Sequence, residues 1–143
     1  MACIELRSAK LKDWKGIASI YKEAFPSTRD QGLLPSENWQ SLLLDQRFEY
    51  VVAVQGNQVL GVASLIVIEK PLRGGSKMGL IEDVAVSKSA RNQGIGQSLI
   101  QKLQQLARSK DCYKTILNCP EDVVPFYERC GFHRKEIQMR WNP

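Results

Sequence analysis

Two adjacent carboxylates, Glu82 and Asp83, lie inside the run Gly79-Leu80-Ile81-Glu82-Asp83-Val84-Ala85-Val86, and a glycine-bearing loop, Arg91-Asn92-Gln93-Gly94-Ile95-Gly96-Gln97, follows Ser87-Lys88-Ser89-Ala90. The β-branched run predicts a strand, the polar residues a loop, and the apolar spacing after Gly94 a helix. Glycines at such a junction let a ligand approach the backbone, and the free N–H groups of a helix start attract phosphate. An isolated Gly-x-Gly is more often a tight connection that binds nothing, and it is the surrounding pattern that reverses this. On a regular strand Glu82 and Asp83 point to opposite faces and do not enter one pocket together; a β-bulge would change that.

A second constellation lies downstream, where Phe126-Tyr127-Glu128-Arg129-Cys130-Gly131-Phe132 reads as a short helix closed by Gly131 and followed by a strand. The spacing Arg91-x-x-Gly94-x-Gly96 after a strand ending Val84-Ala85-Val86 resembles the pyrophosphate-binding motif of the GNAT superfamily of acyl-coenzyme A-dependent N-acetyltransferases, and the second constellation resembles that superfamily's late helix-turn-strand signature. Within it, Ile81-Glu82-Asp83-Val84 and Asp111-Cys112-Tyr113-Lys114-Thr115-Ile116-Leu117 most resemble the glucosamine-6-phosphate N-acetyltransferases. The likeness is good over residues 77–140 and weak before. It implies a mixed α/β fold (α+β) with a mainly antiparallel sheet flanked by helices and splayed central strands. It also implies acetyl-CoA as co-substrate, with no metal, and a small primary amine as acceptor, glucosamine 6-phosphate or a related amino sugar first. A polyamine, amino-acid or protein amine is the alternative acceptor, and a noncatalytic coenzyme A-binding module the alternative class.

Acetyl transfer from a thioester needs a neutral amine, a stabilised oxyanion and a protonated leaving thiolate. The amides of Asn92, Gln93, Gly94, Gly96 and Gln97, with Arg91 beside them, are candidates for the diphosphate, because loop amides and a helix dipole act together. Main-chain groups of Val84 and Val86 are candidates for holding the pantetheine arm like an added strand. By resemblance, Tyr127 donates to the departing sulfur; its other reading is a core aromatic beside Phe126. By resemblance too, Glu82 contacts the acceptor or relays its proton, while Asp83 is either an acceptor contact or a solvated carboxylate. Three positions depart from the amino-sugar enzymes: Leu80 stands for a frequent His, Asn118 for an acidic residue after the strand, and Val123 for an Asn near the pantetheine. Asn118, a candidate catalytic position, matters most, because an amide does not deprotonate an ammonium.

The 143 residues, 43% hydrophobic and 24% charged, fit one globular domain over 1–143. No apolar run reaches the roughly 20 residues of a membrane span, and Met1–Lys10 lacks a signal peptide's apolar block, so a cytoplasmic protein is expected. The net charge of +5 suits an anionic partner such as a nucleotide cofactor; the basic residues are scattered and mark no nucleic-acid surface. The single histidine, His133, excludes a His-rich metal site, and the four cysteines show no paired spacing, which predicts reduced thiols.

The elements that must position these residues follow from periodicity. Ile4–Arg7 alternates like a strand; Trp14 to Phe25 repeats at helical spacing after Asp13, a candidate cap, and Pro26 ends it. Ser27 to Pro35 reads as a loop and Ser36 opens a second helix with Trp39, Leu42 and Leu43 inward; by resemblance this region covers the acceptor. Phe48–Val54 and Val59–Ile68 form a hairpin around Gln55-Gly56-Asn57-Gln58. The loop Glu69 to Lys77 is rich in glycine and cation, and is either a receptor for an anionic acceptor group through Arg73 or Lys77, or a solvated hairpin tip. Gly94 to Ser109 forms a helix burying Ile95, Leu99, Leu103 and Leu106, and Tyr113–Leu117 a buried strand. Val123–Cys130 is a short helix with Asp122 as its cap and Pro125 in the first turn, and Phe132–Met139 is expected as a last strand. Apolar residues near the terminus, Trp141 among them, and the likeness to amino-sugar enzymes point to a homodimer in which Arg140 reaches an anionic acceptor; a strand folded back on its own subunit is the other reading.

Overall fold

The computed structural model describes residues 3–27 and 32–143. Five strands form one sheet in sequence order: β1 (Ile4–Ser8), β2 (Phe48–Gln55), β3 (Gln58–Glu69), β4 (Lys77–Val86) and β5 (Cys112–Ile116). β1 to β4 pair antiparallel; β4 and β5 pair parallel. A parallel pair needs a crossover, and the helix Ile95–Ser109 (α3) supplies it. Helices α1 (Trp14–Ala24) and α2 (Ser36–Leu44) pack on the opposite face. This is the mixed α/β sheet that the element order predicts.

Alternation along the central strands makes two cores. On one face Val51, Ala53, Ala63, Leu65 and Ile81 meet Leu99, Ile100 and Leu103 of α3. Val52, Val54, Val62 and Ala85 meet Ile17, Ile20 and Trp39 on the other. Leu99 and Leu103 are fully buried, and truncating either to Ala costs about 2–5 kcal/mol. Among the described residues no helix is long and apolar enough to cross a membrane.

Several local expectations are corrected. Asp13 does not cap α1 with its side chain: its carboxylate accepts from the Lys10 N–H at 2.7 Å and pairs with both terminal nitrogens of Arg7 at 2.7 and 3.0 Å. Asp122 does not cap the late helix, which is Val124–Arg129 (α4) with Val123 before it and Pro125 in its first turn. β5 is an edge strand rather than a buried one, and Tyr113 on it is exposed. Phe132–Met139 is not a strand; from His133 onward the chain is irregular and exposed, because no sheet edge of the same chain receives it. The expected loop Ser27 to Pro35 lies partly outside the described residues.

Candidate active site

The last β4–β5 pair is Leu80 with Ile116, and β5 ends there, so the residues of β4 after Leu80 have lost their neighbour on that side. Pairing between the two parallel strands thus stops where the splay is expected. This leaves unpaired main-chain groups along Ile81–Val86, the segment that includes Val84 and Val86.

At the point of divergence β4 carries a bulge. Val62 pairs with Ala85 while Ser64 pairs with Glu82, so Asp83 and Val84 together oppose the single residue Ala63. Asp83 takes φ 53°, a left-handed conformation that Asp tolerates better than most residues. The consequence is decisive for the two carboxylates. Ile81 and Val84 both pack on the α3 face with two residues between them instead of one, so Glu82 and Asp83 both turn toward the α1 face. The condition attached to their adjacency is met. The Ser64 hydroxyl donates to the Glu82 carbonyl at 2.9 Å and braces the bulge. Desolvation, then the charge of Asp83, raises the Glu82 carboxyl above its usual range, and desolvation alone raises that of Asp83.

β4 runs through Lys88–Ala90, a 3₁₀ turn, into the glycine loop. Gly94 precedes α3 with φ 77°, and the first helical bond at this end runs from the Ser98 N–H to the Gly94 carbonyl at 3.0 Å. The amides of Ile95, Gly96 and Gln97 thus have no partner within the helix. Asn92 is also left-handed at φ 62°, and Arg91, Asn92, Gln93, Gly94 and Gln97 are all exposed. The Arg91 Nε–H donates weakly to the Val86 carbonyl at 3.4 Å.

The two glycines differ. A Cβ at Gly94 would meet no atom within 4 Å, whereas one at Gly96 would lie 3.2 Å from the ring of Phe126. Gly94 therefore borders open space, and Gly96 is small to let α3 approach α4. Its side-chain position faces protein, not ligand.

Tyr127 lies on α4, half-buried between Phe126 (ring centroids 4.9 Å apart) and Phe132 (6.1 Å). The helix is held to α3 by the Gln104 side-chain amide, which donates to the Cys130 carbonyl at 2.8 Å. Burial, with the neighbouring Cys119, Cys130 and Glu82, pushes the Tyr127 phenol up to about 12. At neutral pH the hydroxyl is protonated and able to donate. Glu82 being among those causes ties Tyr127 to the β4 bulge.

The other predicted residues are more scattered. Asn118 is exposed in the loop after β5. Lys77 begins β4, about 20 Å upstream of Asp83 along an extended strand, and the Arg73 guanidinium lies 5.0 Å from the ring centroid of Tyr113. Both belong to the outer end of β4 and β5, away from the bulge. Arg140 is exposed in the C-terminal segment.

What sequence reasoning missed is a cavity of about 210 Å³ on the α1 face. Trp14, Tyr21, Phe25, Trp39 and Tyr50 wall it together with Leu33, Leu34 and Leu42, and Asp83, itself exposed, contributes a carboxylate. Trp39 stacks on Trp14 at 5.1 Å and meets Tyr50 edge-on at 4.8 Å. The Tyr21 hydroxyl is buried without a hydrogen-bond partner among the described residues. Trp14, Tyr21 and Trp39 read as helix core faces; the available signal was the number of aromatics on two consecutive short helices.

A mixed sheet whose two parallel strands part after Leu80, a bulge bearing two carboxylates on β4, open space at the start of α3 and a half-buried tyrosine on α4 together define one class of α/β fold. The profile of the acetyltransferase (GNAT) family matches residues 14–132, and the chain belongs to that family. The chain is 48% identical over 83 residues to a glucosamine 6-phosphate N-acetyltransferase of Trypanosoma brucei brucei, covering 58% of this chain and 56% of that one. It is 39% identical over 87 residues to a probable glucosamine 6-phosphate N-acetyltransferase of Oryza sativa subsp. japonica, covering 61% and 52%. The chain thus spans about half the length of these curated relatives. The crystal structure of a Trypanosoma brucei acetyltransferase superposes with a TM-score of 0.88 at 32% identity, covering 99% of this chain and all of that one. The Arabidopsis thaliana glucosamine-6-phosphate N-acetyltransferase superposes at 0.86 with 24% identity over 98% of each, a likeness of fold.

Proposed function

We propose that the chain transfers an acetyl group from acetyl-CoA to a small primary amine by direct attack of the amine on the thioester. The single observation that carries this reading is the bulge of β4 at the splay, which brings Glu82 and Asp83 to one face next to main-chain groups that have no strand partner. Amides of the Asn92–Gln97 loop and the Arg91 side chain receive the diphosphate. Val84 and Val86 hold the pantetheine, and one of their amides faces the carbonyl oxygen as charge develops. Glu82, with its raised affinity for a proton, takes the amine's proton through water as the N–C bond forms; the C–S bond breaks and Tyr127 gives its proton to the sulfur.

The curated relatives make glucosamine 6-phosphate the first acceptor to test. Exposed Ile137, Met139 and Trp141 alternate along the C-terminal segment, which supports pairing with a second copy, and Arg140 between them would then approach that copy's acceptor. Residence in the cytoplasm completes the reading. Thiol release from acetyl-CoA across a panel of amines, with intact mass of the protein as control, tests it: acetylated amine with unmodified protein is expected, and no release with any amine would refute the function.

A further inference from the structure

The junction between β4 and the glycine loop is held by a side chain that lies outside the reacting groups. The first amide of the 3₁₀ turn Lys88–Ala90, that of Lys88, donates to the Glu23 carboxylate at 2.7 Å, a contact across 65 residues of sequence. The Ser87 hydroxyl stands at the cap position without serving the turn; it lies 3.1 Å from the Ser89 hydroxyl. Glu23 therefore takes the place of a local cap. It comes from the last turn of α1, whose Ile17 and Ile20 are buried in the core, so a fixed element presents the carboxylate. Two main-chain bonds complete the clasp: the Ser87 N–H donates to the Leu60 carbonyl at 2.8 Å, and the Ala90 N–H to the Ser87 carbonyl at 2.9 Å. Ala90 is itself buried, and so is Ile95 at the start of α3. Between these two pinned residues run Arg91, Asn92, Gln93 and Gly94, all exposed, with Asn92 and Gly94 left-handed. Where those four residues lie thus depends on where the turn before them is held.

Charge makes the placement informative. A carboxylate next to a loop that receives a diphosphate repels that ligand, so electrostatics alone disfavours an acidic residue here. What Glu23 contributes is geometry. We infer that Glu23 is a positioning residue for the coenzyme A diphosphate: by holding the Lys88 amide it fixes the turn from which the Arg91–Gly94 loop departs. The carboxylate touches neither cofactor nor reacting atoms, and it acts through the main chain. The inference rests on the acetyl-transfer reading and deepens its cofactor site.

The test compares wild type, Glu23→Ala and Glu23→Gln. Calorimetric titration with coenzyme A reads binding, thiol release from acetyl-CoA with glucosamine 6-phosphate or another amine of the panel reads turnover, and thermal unfolding reads stability. Glu23→Ala should weaken coenzyme A binding about tenfold, the worth of one hydrogen bond to a charged group, and raise the KM for acetyl-CoA by a similar factor while kcat changes less than about twofold. Glu23→Gln keeps an oxygen that accepts the Lys88 N–H and loses the repelling charge, so it should bind at least as tightly as wild type. A purely structural role for Glu23 would lower Tm in Glu23→Ala and leave the affinity alone; a purely electrostatic one would tighten binding in both variants. Either result overturns the inference and leaves acetyl transfer standing. Coenzyme A binding that is lost in Glu23→Ala and kept in Glu23→Gln, without thiol release from any amine, overturns acetyl transfer and leaves the positioning role standing. No binding of coenzyme A by wild type overturns both.

Discussion

Gly94→Leu separates cofactor binding from folding. The residue sits at φ 77°, where a side chain costs about 1–2 kcal/mol, and its Cβ would touch nothing within 4 Å, so no steric cost is added inside the protein. For 143 residues the unfolding entropy near the midpoint is about 0.3 kcal/mol/K, so the strain lowers Tm by about 3–7 °C. The new side chain occupies the open space beside the unpartnered amides of Ile95, Gly96 and Gln97. If two charge-assisted hydrogen bonds to a diphosphate are lost, at about 1.5–3 kcal/mol each, affinity for coenzyme A falls about 10²–10⁴-fold. Calorimetric titration gives the affinity and thermal unfolding gives Tm on the same sample. Wild-type affinity together with the expected fall in Tm would show that the diphosphate does not sit at this loop. Gly96→Leu is the contrast: its Cβ would be driven against Phe126 at 3.2 Å, so Tm should fall further and the disturbance should reach Tyr127.

Tyr127→Phe should lower kcat about 10²–10⁴-fold with little change in coenzyme A affinity, since the ring still packs; an unchanged rate where chemistry limits would leave Tyr127 a packing residue. In wild type, with the phenol pushed up to about 12, rate measurements should show no loss attributable to Tyr127 ionisation anywhere between pH 7 and 10, and a basic limb there that disappears in Tyr127→Phe would contradict the assignment. Asp13→Asn should destabilise by about 2–4 kcal/mol, because it leaves Arg7 unpaired at a largely buried site. Burial works against the Asp13 carboxylate, but the Arg7 and Lys10 hydrogen bonds outweigh it and lower its pKa, so this stability is present above the ordinary carboxyl range and lost as pH falls through the folded value; the difference between wild type and Asp13→Asn should shrink below about pH 4, and a constant difference down to pH 2 would refute it. Light scattering should give a dimer, and Trp141→Asp a monomer, whereas a wild-type monomer at micromolar concentration would remove the proposed pairing; Arg140→Ala should raise the KM for any phosphorylated amino sugar the enzyme accepts.

Periodicity and local chemistry sufficed for the path from β4 through Gly94 into α3, the hairpin around Gly56, and the place of Pro125 in the first turn of α4. These depend on neighbours within a turn or two of chain, and the amphipathic face of α3 is written in the spacing of Ile95, Leu99 and Leu103. Tertiary structure decided the rest. Whether Glu82 and Asp83 share a face depends on the register with β3, since the extra residue opposite Ala63 can be recognised only with the partner strand in place. The aromatic cavity draws on α1, α2, β2 and β4, so no spacing in any one of them announces it; Tyr21 looks like core until its hydroxyl is seen without a partner. β5 has a buried strand's sequence yet lies at the sheet edge, and the apolar C-terminal run makes no strand in its own chain. A β-prone sequence fixes the conformation a segment prefers, but a strand also needs a neighbour, and that neighbour is set by the whole fold.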